Sequence, residues 1–231
     1  IKELFEEKLD KFQLIIFDNF KGKNVLTPVY IQNLLSFLDE GGGILEITGP
    51  SYNSRSSLFR TEIGRILPGT PSGKILKGEY KPVLSELGKI HPITKSLFKS
   101  YQNYGSWYEM NKISQVDEDA LILMEGFDKN PLLVVKKIKK GRIAQIYSHH
   151  IWLWTKKNNL NGGPHNKLIK NLAHWLMKEP SLEENKINVS IDEKKIIAKK
   201  SFLLAPNKND LNLNIIDPNG KKHKLFLKKI N

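Results

Sequence analysis

Residues 27–52, TPVYIQNLLSFLDEGGGILEITGPSY, constrain the fold more than any other stretch of the chain. Thr27 is placed to cap a helix, and Pro28 stands at its first position, where a missing N–H costs nothing. Ile31, Leu34, Leu35 and Leu38 recur at the spacing of one apolar helix face. Gly41 to Gly43 stop the helix, because glycine adopts the left-handed cap conformation without a Cβ penalty. Residues 44–48 then form a short, mostly apolar run of the kind found in a parallel strand covered on both faces. Ligands of open α/β sheets gather beyond the carboxyl ends of such strands, which puts Gly49, Pro50, Ser51 and Tyr52 where function is expected.

A chain of 231 residues, 39% hydrophobic, can build one medium domain and a smaller second piece. It has no apolar run of about eighteen residues, as a membrane helix needs, and no N-terminal signal pattern. It opens at Ile1 inside an amphipathic, charged stretch, which reads as part of a longer protein whose anchor or signal lies elsewhere. The absence of cysteine removes disulfides, thiolate metal sites and a cysteine nucleophile. The net charge of +13 raises the question of nucleic acid. However, residues 181–231 carry +5 and residues 1–180 carry +8, and the lysines are scattered among acids. Lysine outnumbers arginine 33 to 4, whereas phosphate and base readout favour arginine's fork. A solvated lysine-rich surface is the better reading, and no specific nucleic-acid partner is expected.

In chain order, Leu4, Phe5, Lys8 and Leu9 read as the end of an amphipathic helix. Residues 12–17 follow as an apolar strand with Asp18 at its tip, and with the helix and strand above they imply a parallel pair with a right-handed crossover. Residues 51–57 are a polar loop, and residues 58–89, broken by Pro68, Pro71 and Pro82, are expected to form short irregular elements. Ile93, Leu97 and Phe98 are expected to be buried, and Tyr101, Tyr104, Trp107 and Tyr108 to pack together. ALILME, PLLVVKKI and RIAQIYS predict a three-strand meander ending at Ser148, His149 and His150. A helix carrying Leu168, Leu172, Trp175 and Leu176 ends before Pro180. Beyond it come four strands, with a turn at Asp217-Pro218-Asn219-Gly220. An independent sandwich has about seven strands, so residues 183–231 read as part of a sandwich continuing past the chain, and residues 1–180 as the α/β domain.

Asp18, the Gly49–Tyr52 loop and the His149-His150 pair converge on one end of such a sheet, with Trp152 beside them. Ser51 after Gly49-Pro50 approaches a nucleophile elbow, but Asn53 stands where the second glycine of G-x-S-x-G belongs. Ser51, His150 and Asp18 supply the residue types of a triad, which any chain of this size also supplies. Adjacent histidines on a strand point to opposite faces, so no metal site is expected there, and no cofactor motif is present.

Taken as an ordered set, FQLIIFDNF, GGGILEITGPSY, HPIT, PLLVVKKIKKGRIAQIYSHHIWLW and LAHWLMKEP resemble the glutamine amidotransferase-like domains of bacterial cell-envelope proteins. The resemblance covers roughly residues 3–182. It implies a class I glutamine amidotransferase-like, flavodoxin-like α/β fold with a mostly parallel sheet and flanking helices, followed by a small all-β segment. It also implies a membrane-anchored setting, with other envelope proteins or the rest of a longer chain as partners. GRIAQIYSHH is similar, too, to the end of trehalose-utilisation-type domains on the same fold. A true amidotransferase carries a cysteine where this chain has Thr48-Gly49-Pro50-Ser51, and a glutaminase needs that thiolate. Two functions follow as expectations. One is a catalytically inactive envelope module serving binding or assembly. The other is a hydrolase or carbohydrate-related small-molecule site of the trehalose-utilisation type using Asp18, Gly49, Pro50, Ser51, Tyr52, His149, His150 and Trp152.

Overall fold

The structure is a computed structural model that describes residues 9–22, 25–97, 104–156, 163–192, 195–206 and 211–228. The expectations for Leu4, Phe5, Lys8, Phe98 and Tyr101 lie outside the described residues. The described parts fall into two compact units, Ile1–Leu182 and Glu183–Asn231.

In the first unit, helix α1 (Pro28–Glu40) starts where Thr27 Oγ1 accepts a hydrogen bond from the Tyr30 N–H at 3.4 Å. It ends at Gly41, whose φ of 115° is left-handed and whose N–H bonds back to the Leu38 and Phe37 carbonyls. A Cβ on the next residue, Gly42, would lie 2.2 Å from the Phe37 ring, so the chain can turn this tightly into the following strand only with glycine there. All five residues of strand β2 (Gly43–Ile47) are buried. β1 (Leu14–Asp18) pairs with it in parallel, Asp18 opposite Ile47, which is the expected strand, helix, strand unit.

The meander is also present, as β6 (Leu121–Glu125), β7 (Pro131–Ile138) and β8 (Gly141–Ile146). β8 joins the sheet beside β2, parallel to it, and the order is β1-β2-β8-β7-β6-β4, with β4 (Val83–Leu84) at the edge. Since β7 and β4 are the strands that run against their neighbours' direction, β1, β2, β8 and β6 all point the same way. α1 packs its buried Ile31, Leu34 and Leu38 on the face of Phe17, Ile44 and Ile143. α3 (His165–Leu176) places Leu168, Leu172, Trp175 and Leu176 on the opposite face, against Leu45, Ala144 and Ile146. This is the amidotransferase-like α/β arrangement, a sheet of mostly co-directional strands covered on both sides.

Residues 58–89 differ from expectation. Two short 3-10 turns (Leu58–Arg60 and Glu62–Arg65) lead into a long strand β3 (Gly69–Tyr80), which pairs antiparallel with β5 (Trp107–Val116) as a separate ribbon. Register shifts near Pro71 and between Lys77 and Tyr80 accommodate the proline and the glycines that argued against a strand. A short helix α2 (Glu86–Ile90) follows β4, capped by the Ser85 hydroxyl, which accepts from the Gly88 N–H at 2.9 Å.

The second unit contains two antiparallel hairpins among its described residues, β9 (Lys186–Asp192) with β10 (Lys195–Ser201), and β11 (Asn212–Ile216) with β12 (Lys222–Phe226). Asp217 Oδ1 accepts from the Asn219 and Lys221 N–H groups, both at 2.9 Å, and this closes the second turn.

Candidate functional site

Because Asp18, Ile47, Ile146 and Leu133 align across the sheet, the carboxyl ends of β1, β2 and β8 finish level with one another. Two strand spacings of about 4.8 Å separate β1 from β8. Past these ends the chain makes three turns, and they carry the residues singled out from sequence.

The β1 tip turns at Asn19, whose φ of 46° is left-handed, and its N–H bonds to the Ile47 carbonyl at 2.8 Å. The Asn19 side chain lies against Gly49: a Cβ at 49 would be 1.8 Å from Asn19 Oδ1. After Gly49, residues Pro50–Asn53 form a 3-10 turn. Ser51 has no left-handed φ, so the strained elbow that lifts a nucleophile is absent. Asn111 of β5 fixes this turn from above. Its Nδ2 donates to Thr48 Oγ1 and the Gly49 carbonyl, both at 2.9 Å, while its Oδ1 accepts from Asn53 Nδ2 at 2.7 Å. Asn53 Oδ1 in turn accepts from the Gly73 N–H at 2.9 Å. These amides tie the β2 tip to the β3–β5 ribbon.

Beyond β8, Ser148 caps a 3-10 helix (His149–Thr155), its hydroxyl accepting from the His150 N–H at 3.1 Å and donating to the Glu109 carbonyl. The two histidines have therefore left the strand, and their rings lie 4.5 Å apart, centroid to centroid. His150 Nδ1 accepts from the Tyr108 N–H at 3.1 Å, which leaves its proton on Nε2. Burial pushes the His150 pKa down, and His149 beside it adds to the effect, while Glu109 opposes it. The imidazole is neutral at pH 7. Tyr108 and Trp152 flank this turn with 42% and 46% of their surface exposed, and Lys156 Nζ sits 5.1 Å from the Trp152 ring centre.

Asp18 and Ser51 make no side-chain hydrogen bond among the described residues. No Ser–His or His–Asp bond joins Ser51, His150 and Asp18, and no cluster of three metal-ligating side chains occurs among the described residues. The structure thus gathers the predicted groups at one sheet end without linking them into a relay.

Directly beneath the Gly49 turn, the predicted Tyr52 joins a set of residues that sequence reasoning otherwise passed over. Glu46 on β2 and Gln145 on β8 are register partners on one face, and Gln145 Nε2 donates to Glu46 Oε2 at 2.6 Å. Gln145 Nε2 also donates to the Tyr52 hydroxyl, and its Oε1 accepts from the Tyr147 hydroxyl and the Gly69 N–H. Tyr52 completes the set by donating to the Gly69 carbonyl at 2.5 Å. Burial raises the Glu46 pKa to about 7, a shift that the Gln145 hydrogen bond partly offsets. Burial also raises Tyr52 and Tyr147 well above the usual phenol value. The signal was present in the sequence: both apolar strands carry a buried polar residue at this level, Glu46 in β2 and Gln145 in β8.

No protein-family model and no curated protein matches the chain. Solved structures do. Cytoplasmic protein STM3548 from Salmonella typhimurium aligns at 16% identity and TM-score 0.59, and cytoplasmic protein STM1381 from Salmonella typhimurium LT2 at 20% and 0.56. Each alignment covers 73% of this chain and 73% of the other. A thuA-like protein from Parabacteroides merdae aligns at 14% identity and TM-score 0.48, over 74% of this chain and 72% of the other. At these identities the likeness establishes the fold alone.

The comparisons correct one expectation. The sequence placed the chain in a membrane-anchored cell-envelope protein, but the Salmonella neighbours are named as cytoplasmic proteins. Among the described residues, moreover, no helix is long and apolar enough to cross a membrane. The envelope assignment is withdrawn, while the amidotransferase-like α/β fold stands.

Proposed function

We propose that the carboxyl ends of β1, β2 and β8 form a binding site for a small neutral carbohydrate or related polyol, the trehalose-utilisation-type reading of the sequence. The observation that carries it is the His150 turn, where a neutral imidazole with an N–H to offer, two residues before Trp152, is held by the Tyr108 backbone, and both aromatic side chains are exposed. Sugars present C–H faces that stack on aromatic rings and hydroxyls that need both donors and acceptors. Asp18 and Ser51, whose side chains are unengaged among the described residues, supply further polar groups at the same sheet end. Binding is favoured over hydrolysis because no base is hydrogen-bonded to the serine.

The test is a nitrogen-15 NMR titration with a panel of mono- and disaccharides, including trehalose. Shifts concentrated at Ser51, Tyr108, His150 and Trp152, weakened at least about tenfold by Trp152→Ala, are the expected result, since aromatic anchors dominate such sites. If no sugar in the panel moves those amides, the proposal fails.

A further inference from the structure

Among the described buried polar side chains of the first unit, Glu46 is the one carboxyl, only 3% exposed, and it lies under a cover that its own hydrogen-bond partners hold down. Tyr52 and Gly69 bracket the chain that crosses this face of the sheet. Gln145 and Tyr52 clamp both backbone groups of Gly69, its N–H at 3.0 Å and its carbonyl at 2.5 Å. Gln145 in turn is held by Glu46 and Tyr147. With the carboxyl neutral, the cluster is a set of uncharged hydrogen bonds. Ionisation would place a full negative charge at its centre, and a buried charge without a partner is strongly unfavourable.

Among the described residues, its surroundings offer no such partner. On the flanking strands its register neighbours are Phe17 and Gln145, and β7 contributes Val134 beside Gln145. Among the described residues, two titratable groups interact with it, the phenols of Tyr52 and Tyr147. The buried residues of α1 include one titratable side chain, Tyr30. From the covering segment, Leu58, Ile63 and Leu67 face inward, while Arg60, Glu62 and Arg65 are exposed.

We infer that Glu46 is a proton-operated latch: its neutral carboxyl keeps residues 49–69 closed over the sheet, and its ionisation releases them. The device does not depend on what the strand-end site binds. A carboxyl that titrates near pH 7 when closed and near 4.5 when open makes opening rise about tenfold per pH unit between those values and level off above.

Amide hydrogen exchange on the intact chain reads this directly, after correction for intrinsic chemistry. Protection of the Gly69 N–H should fall about tenfold per pH unit from pH 5 to 7 and then flatten, staying throughout well below that of Leu172 in α3, which opens only with the whole domain. In Glu46→Gln the Gly69 profile should be flat. Equal slopes in the two proteins overturn the latch. Should the variant fail to fold, carbon-13 NMR of the wild-type Glu46 carboxyl decides: a midpoint near pH 7, shared by the Tyr52 ring signals, supports it. A carboxyl titrating below pH 5, or one titrating near 7 while Gly69 protection is unmoved, overturns it.

Discussion

Glu46 also has a thermodynamic consequence for the whole chain. Its folded pKa of about 7 lies above the ordinary 4.5, so the folded state holds this proton more tightly than the unfolded one. The resulting stabilisation is complete below pH 4.5 and is lost as pH rises to 7. Over the full window the shift corresponds to about 3 kcal/mol, and glutamine at this position, being neutral throughout, does not lose it. Denaturant unfolding of wild type and Glu46→Gln should therefore show a gap that opens in the variant's favour from pH 5 to 7 and is constant above. A gap that is the same at pH 5 and pH 8 would show that the carboxyl is not held neutral by the fold.

At the scale of elements, the tips of β1 and β2 are interlocked through Asn19 and Gly49. Gly49→Ala drives a methyl group into the Asn19 amide, and because Asn19 already holds a left-handed φ, it has little freedom to withdraw. The substitution should cost about 1–3 kcal/mol, and Asn19→Gly, which removes the obstructing amide and tolerates the φ, should recover most of it. A double-mutant cycle with simple additivity would show that the two tips are independent. The helix, the Gly41 cap, strand β2 and the meander were legible in sequence because each rests on local signals: a cap, an apolar period, a turn dipeptide. The β3–β5 ribbon was not, since its pairing joins residues far apart in sequence, and Pro71 and the glycines at its bulges read locally as breakers. The site was legible to the same depth. Strand-end position identified Asp18, Ser51 and His150, whereas Asn111 and Gln145 acquire their roles only through contacts the ribbon and the cover create.

For the whole molecule, the two compact units meet in sequence at Leu182 and Glu183, just past Pro180, and the second unit leaves much of its apolar surface uncovered. Ile187, Val189 and Ile191, alternating along β9, are 50%, 64% and 78% exposed. Two-stranded hairpins with so little buried surface are only marginally stable. Limited proteolysis should cut first between Lys178 and Lys186 and leave a stable fragment ending near Pro180; a second unit as protected from exchange as β2 would instead mark one cooperative whole. The order of the sheet also has a bearing on synthesis. β2 ends at Ile47 and is flanked by β1 and β8, but β8 begins only at Gly141. As the chain emerges from the ribosome, the unpaired backbone edge of β2 that β8 will occupy stays open until Gly141 and the residues after it are made, and the helix α3 that covers one face of the strand comes later still. A strand buried along its whole length in the finished fold is thus made well before it is enclosed, and for that interval it offers the nascent chain a route to aggregation.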